Sequence, residues 1–250
     1  MKKKTRDEKR MSFLDHLEEL RWRILKSLAV VILFSIVAYI FSEHLLSFLT
    51  RPVPEDVQLI FTAPTGAFLV SIKAAIIFGI LASLPVIFYQ IWAFVAPGLV
   101  EKEIRLAIVV VASATLCFLL GFAFAYFIIL PFGLRFLFSF QTSYLAPMPD
   151  IGSYIGFAGR LFLAFGIVFE LPLLSFLLSK MGLLTPGFLK KQRRYAIAVI
   201  FILAAILTPP DVITQILLAA PLILLYEISI WISAAVTGKR DRARAAQEES

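Results

Sequence analysis

Residues 195–236 read YAIAVIFILAAILTPPDVITQILLAAPLILLYEISIWISAAV, an almost wholly apolar run broken at Thr208-Pro209-Pro210-Asp211. The first of two consecutive prolines lacks the amide hydrogen that a helix needs, and the second bars the residue before it from α geometry. The run is therefore expected to form two helices joined by a tight turn, over 195–207 and 212–236. At ~1.5 Å per residue the second is long enough for a hydrocarbon layer ~30 Å thick, whereas the first covers only ~20 Å. Reading a hairpin here sets the parity of the whole chain, because both ends then fall on one side of a membrane.

Towards the amino end lie four more apolar runs of spanning length. They cover about 24–41, 74–95 with Pro85 as an expected kink, 106–130 ending at Pro131, and 154–178 with Pro172 inside it. That makes six spans. Of the 24 basic residues, all but Arg51, Lys73, Arg135 and Arg160 fall before or just inside the first span, in alternate loops, or in the tail. The bias of Lys and Arg toward the cytoplasmic side then places both termini in the cytoplasm. Residues 1–236 read as a single polytopic membrane domain, and 237–250 as a charged, mobile cytoplasmic tail. On the outer side, 42–67 carries Pro52, Pro54 and Pro64, and 132–153 carries Pro147 and Pro149. Prolines restrict these segments, so they are expected to be ordered caps.

Composition agrees. The chain is 60% hydrophobic and 16% charged, with a mean hydropathy of +0.89. Soluble domains sit near ~45–50% apolar and ~25% charged, so lipid must solvate the excess. The net charge of +7 is distributed as topology requires, and no nucleic-acid partner is expected. A single cysteine, Cys117, excludes an internal disulfide. His16 and His44 are far apart, and neither an HExxH motif nor paired-cysteine spacing is present, so neither a metal site nor a cofactor is expected. The first apolar run is longer than a signal-peptide core and has no small-residue exit, and reads as an anchor.

Several polar residues stand out against this background. In SFLDHLEELRWR, Ser12 and Asp15 have capping-box form, and apolar residues then recur at helical spacing, so a helix starts ahead of the first span. Glu19 and Arg23 form an i,i+4 pair, which gives Glu19 a structural reading beside any functional one. Glu101 and Glu103 flank Lys102 after the Pro97-Gly98 turn, as a solvated loop would. Glu170 lies about 24 Å along the helix from Tyr154, within the hydrocarbon, where an ionisable group points to function or to a buried partner. Asp211 is placed to cap the helix from Val212, with Gln215 one turn on and Glu227 deeper. Trp92 and Phe94 sit where aromatic residues anchor spans.

Taken together, HLEELRWR (16–23), SLPVIFYQIWAFVAPGL (83–99) with EKEIR (101–105), GFAFAYFIILPF (121–132), AFGIVFELP (164–172) and ILTPPDVITQILLAAPLILLYEIS (206–229) resemble the TatC family of the twin-arginine export system. The matches extend from about Ser12 to Ser229. The resemblance implies an all-α, concave, glove-like bundle of six transmembrane helices with short fifth and sixth helices, in the bacterial cytoplasmic (inner) membrane. It also implies a receptor for the twin-arginine signal peptides of folded precursors. Such a receptor assembles with the single-span subunits TatB and TatA into a multi-copy complex, with export driven by the proton-motive force.

Residue by residue, the resemblance gives Glu19, Arg21, Phe94 and Glu103 to signal-peptide binding. It gives Glu170, Gln215 and Asp211 to the intramembrane groove and partner contacts, and Pro52 and Pro85 to structure. No enzymatic activity is implied. A proton-coupled small-solute carrier using Glu170 is the alternative; the absence of an internal repeat weighs against it.

Overall fold

The structure, a computed structural model, describes residues 13–95, 104–140, 148–208 and 211–248. Among them are nine α-helices: α1 (Phe13–Ile40), α2 (Ser42–Thr50), α3 (Gly66–Val95), α4 (Ile104–Phe124), α5 (Leu130–Phe138), α6 (Ile151–Val168), α7 (Leu171–Met181), α8 (Pro186–Leu207) and α9 (Val212–Glu248). The architecture is all-α, as expected from the sequence. By length and composition, five helical stretches suit a membrane: His16–Ile40, Gly66–Val95, Ala107–Phe138, Ile151–Met181 and Val212–Arg240. The sixth expected span lies in the carboxyl half of α8. Its amino half carries Lys190, Lys191, Arg193 and Arg194, so the helix starts upstream of the apolar run.

Prolines act differently from one helix to the next. The helical run does not stop at Pro131 as expected. Pro131 has no amide to offer the carbonyl four residues back, and the ladder widens into a π-helical segment, Ala125–Ile129, where the Leu130 amide donates to the Ala125 carbonyl. The chain thus stays helical to Phe138. Pro172 does break its helix: α6 ends at Val168 and α7 begins at Leu171. Pro85 and Pro221 stay inside α3 and α9.

The last helix is not short, and the segment expected to be a mobile tail belongs to it: α9 has 37 residues and reaches Glu248. Alanine, arginine, lysine and glutamine are good helix formers, and no proline follows Pro221, so nothing ends the helix where the apolar residues end.

Side-chain caps fix where α6, α8 and α9 begin. Asp211 accepts the Thr214 amide at 2.7 Å, Thr185 accepts the Phe188 amide at 3.3 Å, and Asp150 accepts the Ser153 amide at 2.8 Å. Gly182, at φ 82°, ends α7 in the left-handed region.

α6 is central to the packing, with Ile155, Leu161 and Phe165 fully buried together with Leu49 and Leu130. α4 crosses it in backbone contact, because a Cβ on Gly121 would lie 2.5 Å from the Phe165 carbonyl oxygen. α7, α8 and α9 are joined by Ser179 Oγ to Ser233 Oγ at 2.7 Å and by Tyr226 Oη to the Leu189 carbonyl at 2.8 Å. α1 instead packs almost wholly on α3. Its Leu28, Ile32 and Ile36 are more than half exposed.

The segments expected to be ordered caps are tied together where they are described. Ile60 and Asp150 form an isolated parallel bridge, with Ile60 N–H to Pro149 O at 3.1 Å and Ile151 N–H to Ile60 O at 3.0 Å. The last carbonyls of α2 accept the hydroxyls of Tyr126 (to Phe48, 2.7 Å, beside the Arg51 amide) and Tyr154 (to Leu49, 2.6 Å).

Asp150 also accepts from Thr62 Oγ1 at 3.0 Å. The Ser153 bonds, with help from Thr62, hold the Asp150 carboxyl below its ordinary range. Its stabilisation is therefore present above the unfolded carboxylate pKa of about 3.9 and is lost as pH falls through the lower folded value. Asp150→Asn is expected to melt below wild type at pH 6 in detergent, with the difference closing as pH drops below about 4. A gap that stays constant to pH 3 would show that the charge is not what stabilises.

Candidate functional site

At the amino end of α1 and the carboxyl end of α3, polar and aromatic side chains converge. Glu19 and Arg23 stand one turn apart on α1, as their spacing requires, and pair. Arg23 Nε donates to Glu19 Oε1 at 2.9 Å and Nη2 donates to the same oxygen. Arg23 also reaches across to α3, where Nη1 donates to Gln90 Oε1 at 3.3 Å. One turn further along α3, Phe94 stacks on His16, with ring centroids 4.3 Å apart and planes 14° from parallel. His16 Nδ1 lies 3.9 Å from Glu19 Oε2.

The two oxygens of Glu19 are thus unequal. Oε1 takes both bonds from Arg23, while Oε2 is buried and has no hydrogen-bond partner among the described residues. A buried carboxylate oxygen left unpaired is costly, and a donor offered to it is held strongly.

Glu19 and Phe94, far apart in sequence, are therefore brought into one cluster. Arg21 is exposed, two residues from both Glu19 and Arg23 and so on another face of α1. Glu103 lies outside the described residues. His16 and Gln90 were not singled out as site residues by sequence reasoning. Gln90 had a signal, being the one amide in the apolar α3 and one turn before Phe94; His16 had another, one turn before Glu19.

The other candidates are elsewhere. Glu170 sits at the α6–α7 break, 8% exposed, against α4 near Cys117 and Phe118. Its Oε1 is buried and unbonded among the described residues. Arg160, a further cation on α6, donates from Nε to the Gly156 carbonyl at 3.2 Å and makes no ion pair with Glu170 among the described residues. Asp211 caps α9, as its position suggested. Gln215 Nε2 donates to the Phe201 carbonyl at 3.0 Å and ties α9 to α8, and Glu227 pairs with Arg193 at 2.7 Å. Pro52 is half-buried in the turn after α2. Pro85 lines an open apolar crevice of about 560 Å³ between α3 and α4, with Tyr89, Ile108 and Leu116. Among the described residues, no group of three or more His, Cys, Asp or Glu side chains could hold a metal ion.

Comparison with known proteins gives consistent matches. A family model described as Sec-independent protein translocase protein (TatC) matches residues 15–221. A TatC protein of Desulforapulum autotrophicum is 43% identical over 240 residues, covering 94% of this chain and 88% of the relative. One from Carboxydothermus hydrogenoformans is 42% identical, covering 91% and 94%. A crystal structure described as the twin arginine translocase receptor TatC superposes with a TM-score of 0.81 at 39% identity, covering 89% of this chain and 99% of that one.

Proposed function

The chain belongs to the TatC family of Sec-independent protein translocase proteins, and from that membership we propose that it is a receptor subunit that binds the paired arginines of export signal peptides at the junction of α1 and α3. It is a multi-pass membrane protein and a translocase component rather than an enzyme.

The observation that carries the proposal is the unbonded, buried Oε2 of Glu19 beside the His16–Phe94 stack. A guanidinium presents several donors in a plane and binds carboxylates strongly. Arg23 occupies one oxygen and fixes the orientation of the other. Phe94 offers a face for apolar residues of the signal, or for a second guanidinium. Glu103 is proposed as a further acceptor and Arg21 as a flanking contact, both on the strength of the sequence match.

The same reading places the site in the cytoplasm, because the basic ends and loops belong there, in the inner membrane of a bacterium. TatB and TatA are proposed as partners in a multi-copy complex driven by the proton-motive force. Glu170, Asp211 and Gln215 are assigned to the groove those partners use, and Pro52 and Pro85 to the framework. In support, Glu170 Oε1 has no hydrogen-bond partner among the described residues, and an unsatisfied polar group in hydrocarbon favours an interhelical bond.

The test is a photo-crosslinking residue at Phe94 in inverted membrane vesicles, offered a precursor with its twin arginines or with two lysines. Labelling is expected with the arginines and not with the lysines. Equal labelling by both precursors would remove guanidinium recognition from this site.

A further inference from the structure

Two of the four cations outside the basic loops, Lys73 and Arg160, meet on one face of α6. Lys73 Nζ donates to the Gly152 carbonyl at 2.9 Å, and it lies 3.8 Å from where a Cβ on Gly156 would be. Arg160 Nε donates to the Gly156 carbonyl. Both side chains are exposed, and neither forms an ion pair among the described residues. Along α6, Arg160 is about 14 Å from Ile151, and its side chain runs back toward that end. Lys73 is about 10 Å from Gly66 on α3. Both charges therefore sit near the level where hydrocarbon gives way to headgroups, on the side of the molecule that carries the α2 cap.

Below them the surface is apolar. Arg160 forms the rim of a crevice of about 200 Å³ lined by Ile77, Leu81, Phe118 and Leu163 of α3, α4 and α6. The glycines on this face serve contact with α3, since a Cβ on Gly159 would lie 3.0 Å from Ile77 Cδ1.

We propose that Lys73 and Arg160 bind the phosphate of an anionic phospholipid whose acyl chain lies in this crevice. Two exposed cations whose carbonyl partners lie one turn apart on α6 suit a phosphate's several oxygens, and an apolar trough beneath them suits a chain. The proposal is independent of signal-peptide recognition, which lies at the opposite ends of α1 and α3.

The test is native mass spectrometry of the full-length protein released from nanodiscs of phosphatidylglycerol or phosphatidylcholine. Wild type is expected to retain phosphatidylglycerol preferentially. The double variant Lys73→Gln/Arg160→Gln should lose that preference by about tenfold or more, and Lys73→Arg/Arg160→Lys should keep it. Thermal melts of each variant separate lipid loss from misfolding. Equal retention of both lipids by wild type, or undiminished phosphatidylglycerol in a folded double variant, overturns the assignment. So does Arg160-dependent capture of a synthetic single-span helix bearing a glutamate in its outer third, with lipid retention unchanged; the cations would then belong to a protein partner.

Discussion

Glu19→Ala is expected to weaken binding of a twin-arginine peptide by about 10- to 100-fold, the range for losing a hydrogen bond to a charged group. The substitution removes the unbonded Oε2 and also the acceptor that orients Arg23, so a cation already present would repel the incoming ones. Arg23 keeps its bond to Gln90, and the side chains of Arg23 and Glu19 are 21% and 19% exposed, so the fold should persist. Glu19→Gln is informative beside it: one acceptor remains but no charge, and an intermediate loss is expected. Binding should also weaken with salt, which screens the approach of a cationic peptide. Fluorescence titration of a labelled peptide against both variants in nanodiscs measures this. Wild-type affinity in a folded Glu19→Ala protein would exclude the carboxylate.

The second large effect should come from a residue far from any ligand. Gly79→Leu puts a side chain where even a Cβ would lie 2.7 Å from the Ser35 amide nitrogen and 2.8 Å from its Cα. Backbone cannot yield as a flexible side chain does, and overpacking of this kind costs about 1–3 kcal/mol or more. α1 has little besides α3 to hold it, so it is expected to swing away. The site depends on that pairing, because Glu19 and His16 come from α1 while Gln90 and Phe94 come from α3.

Gly79→Leu should therefore lower the melting temperature and also abolish crosslinking at Phe94, about 22 Å further along α3. Gly133→Ala is the control: nothing lies within 4 Å of its would-be Cβ, and stability should hold or rise slightly. Crosslinking that survives in a destabilised Gly79→Leu protein would mean the site does not need the helix pair.

Much of this was legible in the chain. The paired prolines at 209 and 210 marked the boundary between α8 and α9, whereas Pro172, read as lying inside one span, marks a break between α6 and α7. The i,i+4 spacing of Glu19 and Arg23 foretold their bond. What could not be read was set by tertiary contact. Pro131 looked like a stop, yet a π-helical segment carries the backbone past it. The basic tail looked mobile because charge there is uninformative about helicity. Neither His16 against Phe94 nor Arg23 against Gln90 could be inferred before α1 was laid on α3. That pairing was hidden because Gly79, the residue permitting it, is one glycine among 12.

α8 has a consequence of another kind. Its charged half ends at Arg194 and its apolar half at Leu207, so only about 20 Å of oil-compatible helix is available on that flank. Either neighbouring helices shelter it, or lipids that meet it draw their headgroups together to match. Such a flank would insulate electrically over a shorter distance than α3 or α9 does.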